Sequence, residues 1–60
     1  MTKRRIIIKE LLDAGWVMRS HKRADHDKFV MPGKRLIAVP KHRELDDITA
    51  NEIRKQAGLR

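Results

Sequence analysis

Apolar residues near the start of the chain recur at spacings of three and four, at Ile7, Ile8, Leu11 and Leu12, with Lys3, Arg4, Arg5, Lys9 and Glu10 mostly elsewhere. This pattern predicts an amphipathic helix over Lys3 to Ala14, capped by the Thr2 hydroxyl and stopped by Gly15. Trp16-Val17-Met18 is a short β-prone run, and Arg19 to Asp25, with Ala24 its one apolar residue, reads as an exposed basic loop. A second strand is predicted from about His26 to Met31, and a third over Arg35 to Val39, with Pro32-Gly33 between them making a hairpin. Pro then Gly suits a type II turn, whereas two-residue hairpins prefer the primed types, which leaves room for a longer loop. Pro40 ends the third strand, and Lys41 to Ile48 forms a polar connection that Leu45 and Ile48 anchor to the core. Thr49-Ala50-Asn51-Glu52 has the form of a capping box that starts a second helix, closed by Gly58 after Ala57, with Ile53, Ala57 and Leu59 as its buried stripe.

The order is helix, three strands, helix, and connections this short favour an antiparallel meander with both helices on one face. Residues 1–60 then form a single α+β domain, a sandwich of two layers. Alternation along the second strand puts His26, Lys28 and Val30 on one face and Asp27, Phe29 and Met31 on the other, with Phe29 as the core anchor. His26 and Lys28 are expected to project away from the helices, beside the basic loop. The third strand is apolar on both faces, which leaves apolar surface on the open side of the sheet. Ile37 and Val39 are read as exposed there, at a site for a protein partner.

Composition narrows the function. A chain of 60 residues buries only about 60% of its unfolded surface, so its stability is marginal. It has no cysteine and therefore no disulfide, and three histidines without thiols argue against a structural metal site. The longest apolar run, Leu36 to Val39, is far too short for a bilayer, and Met1-Thr2-Lys3 leads into no signal-peptide core, so a soluble cytoplasmic protein is expected. The formal charge of +7 favours a polyanionic partner. Basic residues can merely keep a small protein soluble, but these are unevenly spread. From Arg19 to Arg43, Arg19, Lys22, Arg23, Lys28, Lys34, Arg35, Lys41 and Arg43 face only Asp25 and Asp27.

A histidine beside cations is what RNA cleavage without metal or cofactor requires. Imidazole takes the proton from a 2′-hydroxyl near neutral pH, and cations hold the phosphate. The attacking oxygen belongs to the RNA, so no protein nucleophile is needed. Lys28 offsets charge developing on the phosphorane. His21 and His42 compete with His26 for the same role. His21 lies in the loop; His42, after the third strand, is placed by the meander near the start of the second. Read alone, a single histidine on a small basic domain is more often an ordinary surface residue. Trp16 is read as core rather than as a base-stacking platform.

Four segments carry a family resemblance: Leu11-Leu12 with Gly15-Trp16, Asp25-His26-Asp27-Lys28-Phe29, Val39-Pro40-Lys41-His42, and Ile53-Arg54-Lys55-Gln56-Ala57-Gly58-Leu59. In that order and spacing the chain resembles the HicA family of mRNA interferase toxins over nearly its whole length. The resemblance implies a fold like a double-stranded RNA-binding domain and a ribosome-independent ribonuclease. It also implies a HicB-type antitoxin that covers the active site in a toxin–antitoxin hetero-oligomer. The family's catalytic His precedes an apolar residue by three positions, a place that His26, three before Phe29, fits. Ser20-His21 imitates the small-hydroxyl pair that precedes that His, yet lies five residues too early. Ala24-Asp25 stands where the pair is expected, and the Asp25 carboxylate either orients the imidazole or repels the scissile phosphate.

The leading reading is thus an endoribonuclease toxin with His26 as general base, Lys22, Arg23, Lys28 and Lys41 on phosphate, and His42 as a second proton carrier. The alternative is an RNA-binding module of the same fold without catalysis, and a third reading is a domain whose charge serves an acidic protein partner.

Overall fold

The computed structural model describes all 60 residues. Helix α1 spans Arg4–Asp13 and turns Ile7 and Leu11, one helical turn apart, fully into the core. Ile8 packs partly against it and Leu12 stays exposed, so the buried stripe is narrower than the four apolar positions suggest. The predicted cap is corrected. Thr2 and Lys3 form a short strand β1, Lys3 is the N-cap residue with no side-chain bond to the helix, and the Thr2 hydroxyl donates instead to Asp47 at 3.3 Å. The stop is as expected. Gly15 has φ +97°, its N–H bonds the Leu12 carbonyl, and the Trp16 N–H reaches back to Leu11, a double closure that seats Trp16 against Leu11 in the core.

Strands β2 (Val17–Arg19), β3 (His26–Val30) and β4 (Ile37–Pro40) form an antiparallel sheet with β3 in the centre. His26 lies opposite Pro40, Lys28 opposite Ala38 and Arg19, and Phe29 opposite Ile37 and Met18. The β3–β4 loop exceeds Pro32-Gly33. The Lys34 N–H closes on the Met31 carbonyl at 3.0 Å with Gly33 at φ +75°, a type II turn with Pro in its second place and Gly in its third.

The polar connection carries a two-residue strand β5 (Glu44–Leu45) that pairs with β1, and Leu45 is buried as expected. Ile48, expected to anchor, is instead 78% exposed. Helix α2 starts at Asp47, earlier than the capping box implies, and runs to Gln56. Asp46 is its N-cap, accepting the Thr49 N–H at 2.7 Å and the Thr49 hydroxyl at 3.0 Å. With that start Ala50 and Ile53 face the sheet, and Ile48 falls on the opposite side of the helix. Ala57 packs partly against the core, whereas Leu59 is exposed. Gly58, at φ +77°, closes α2 as predicted.

The core joins Ile7 and Leu11 of α1, Trp16 just ahead of β2, Phe29, Ile37 and Val39 of the sheet, Leu45, and Ala50 and Ile53 of α2. Ile37 and Val39 are therefore inside, contrary to their reading as exposed, because β4 alternates in register with Phe29 and Asp27. The apolar residues on the open face are Val17, Val30, Leu36 and Ala38, of which Val30 is half-buried and the others exposed. No helix is long and apolar enough to cross a membrane.

Candidate active site

The site grows from the first residues of β3. An extended strand sends successive side chains to opposite faces, so His26 and Lys28 are exposed on the open side while Asp27 and Phe29 point toward the helices. Asp27 is 5% exposed, and a buried carboxylate requires partners. It has three. Ser20 Oγ donates to it at 2.7 Å, the Arg4 guanidinium forms an ion pair with it, and Lys41 Nζ stands 3.8 Å away. The Ser20 hydrogen bond, with the Arg4 and Lys41 charges, holds the Asp27 carboxyl below the usual carboxylate range against the opposing effect of burial.

This polar knot fixes the surroundings of His26. Arg4 Nε also donates to the Pro40 carbonyl at 2.7 Å, and Pro40 is the cross-strand neighbour of His26. The Lys41 N–H extends the β3–β4 ladder by bonding the Asp25 carbonyl at 3.0 Å, and Lys41 Nζ donates to the His21 carbonyl. One buried acid thereby ties together the start of α1, the basic loop and the segment after β4.

The result is an open cleft of about 490 Å³ lined by Ala24, Asp25, His26, Lys41 and His42. His42 shares this cleft with His26, the placement expected from the meander. Lys28 stands two residues further along the open face, about 7 Å on. It lies beside Arg19, a like-charged cross-strand pair that raises the local positive potential. Lys22 and Arg23 are exposed on the loop but do not line the cleft, and neither does His21. His21 has a structural task, since its carbonyl and Nδ1 accept from the Ala24 and Arg23 N–H groups and so shape the loop. Sequence reasoning placed Asp27 on the core face but assigned it no task. The available signal was an acid on the buried side of a strand, which demands cations such as Arg4.

Chemically, the cleft offers two solvent-accessible imidazoles and an ammonium group around a space open to a polymeric ligand. Among curated proteins no relative matches the chain. A solved structure described as a toxin–antitoxin complex from Streptococcus pneumoniae holds a similar chain, 33% identical, with a TM-score of 0.83, covering 97% of this chain and 98% of that one. The profile of the family described as HicA toxin of bacterial toxin–antitoxin systems matches residues 4–59. With that match running from the first residue of α1 to beyond the end of α2, the chain belongs to the HicA toxin family.

Proposed function

We propose that this protein is an endoribonuclease that cleaves mRNA by attack of a ribose 2′-oxygen on the adjacent phosphorus. His26 takes the 2′-hydroxyl proton, the new P–O bond closes a 2′,3′-cyclic phosphate, and the 5′-oxygen leaves with a proton from His42. Lys41 and Lys28 neutralise charge gathering on the phosphate, and Lys22 and Arg23 attract the strand from the loop. The observation that carries this reading is the presence of His26, His42 and Lys41 on the lining of one cleft. The nucleophile is the substrate's own oxygen, so the chemistry needs no metal.

Asp25, on the same cleft, favours the second reading, a non-catalytic RNA-binding module, because its carboxylate repels phosphate there. Incubating purified protein with RNA in the presence of EDTA separates the two. New RNA ends support the nuclease; binding without new ends supports the module.

The partner is a HicB-like antitoxin that covers His26. The likeness to a chain from a toxin–antitoxin complex supports this, as does the open face, where Val17, Leu36 and Ala38 lie exposed on the same side as His26. Co-expression followed by size exclusion tests it: one hetero-oligomeric peak is expected, and two independent species at micromolar concentration would refute the partnership.

A further inference from the structure

Behind the His26 cleft lies a second one, of about 660 Å³, that shares Lys41 and His42 with it. Its remaining lining is Lys3, Arg4, Arg5, Arg43 and Glu44, with no hydrophobic residue. Two of its cations are engaged, since Arg4 and Lys41 both face Asp27. Lys3, Arg5 and Arg43 are exposed and pair with no carboxylate. The first turn of α1 holds no acid of its own to offset the positive pole of the helix. Glu44, the cross-strand neighbour of Lys3, is the one acid on a lining that carries five Lys and Arg, so the cleft keeps a net positive charge and its free cations repel one another. A polyanion would relieve that repulsion.

We propose that this second cleft holds backbone phosphates of the RNA strand on one side of the scissile phosphate. The assignment rests on the ribonuclease reading and extends its site from His26, past Lys41 and His42, to Lys3, Arg5 and Arg43. The path fixes the form of the substrate. His26 lies on the open face of the sheet, whereas α1 lies in the helix layer, so a strand touching both clefts must bend around the end of β4. A flexible single strand makes that bend and a stiff duplex does not.

The test is binding of a 2′-O-methyl oligoribonucleotide of about twelve nucleotides, within the site sizes of single-strand binders, which has no free 2′-hydroxyl and cannot be cleaved. Fluorescence anisotropy compares the wild-type chain with two variants of equal net charge. The first is Lys3→Gln/Arg5→Gln/Arg43→Gln. The second is Lys34→Gln/Lys55→Gln/Arg60→Gln, which removes exposed cations at the opposite end of the sheet. The cleft variant is expected to bind at least tenfold more weakly near 0.1 M salt, with a slope of log K against log salt shallower by about 2, whereas the control changes less than about threefold. Equal weakening in both variants, or none in the cleft variant, would overturn the proposal, as would tighter binding of a duplex of the same length. Cleavage is read separately on ordinary RNA. A wild-type chain that cleaves while the cleft variant binds normally sinks this inference alone. A chain that binds through the cleft but never cleaves sinks the nuclease instead.

Discussion

Arg4, the first residue of α1, and Asp27, the second residue of β3, form an ion pair beneath the sheet, and the same guanidinium bonds the carbonyl of Pro40 opposite His26. The His26 end of the sheet is therefore pinned to the helix layer by a charge pair as well as by the buried Val39 and Phe29. Asp27→Asn keeps a hydrogen-bonding partner for Ser20 but leaves Arg4 without its counter-charge. We expect a loss of about 2–3 kcal/mol, somewhat below the cost of breaking a fully buried pair because Arg4 retains some solvent, read as a fall in denaturant midpoint.

The same carboxyl sets an acid limit. Its folded pKa lies below the ordinary value of 3.8, so the stabilisation it provides is complete above that value and disappears as pH falls through the folded one. The wild-type chain should lose stability below about pH 4, where unfolded Asp27 takes up its proton first, and the loss should be smaller in Asp27→Asn. Urea titrations at a series of acidic pH values check this; parallel curves for the two proteins would contradict it.

Replacing His26 with Ala should lower RNA cleavage by about 10²-fold or more while leaving the circular dichroism spectrum unchanged, since the ring is exposed and forms no side-chain hydrogen bond. His42→Ala should also slow cleavage and remove one limb of the pH–rate profile. Full activity in His26→Ala would shift the role of base to His42 or His21.

The caps give a clean stability contrast. Asp46→Ala removes the acceptor of the Thr49 N–H and should cost about 1 kcal/mol. Glu52→Ala would cost as much if Thr49 and Glu52 formed a capping box, but with α2 starting at Asp47 it should change stability by less than about 0.5 kcal/mol. Thermal melts of the two variants decide between the starts.

Gly15→Ala should cost about 1–2 kcal/mol, because φ +97° is a conformation that an L side chain adopts only under strain. The nearest side-chain atom, Met31 Cε, is 3.5 Å from an added methyl, so the backbone rather than a clash sets the cost.

Most of the architecture could be read from periodicity. The three and four spacing of Ile7 and Leu11, the alternation through Asp27 and Phe29, and the glycines after each helix are local signals, and each appears where expected. What escaped depended on distant parts of the chain. Ile37 and Val39 could not be assigned a face from a strand apolar on both sides; their register with Phe29 and Asp27 decides it. The β1–β5 pair joins residues more than forty positions apart and is two residues long, so no pattern announces it. Asp46 and Thr49 both carry capping chemistry, and only the start of the helix chooses between them. At the candidate site, His26, Lys28 and His42 were visible because their residue types state their chemistry. Asp27 and the Lys3–Arg5–Arg43 group act through neighbours brought together by folding.

The small β1–β5 pair has a practical consequence for handling the protein. It lays Thr2 opposite Leu45 and leads the Met1 ammonium away from Arg43 to within 3.3 Å of Asp47, so an affinity tag fused ahead of Met1 would emerge at the start of α2, beside the Asp46 cap. A tag there would move the charged amine away from Asp47 and disturb the helix start whose capping is being compared. Fusion after Arg60, at the far end of the sheet, keeps purification chemistry away from the measurement.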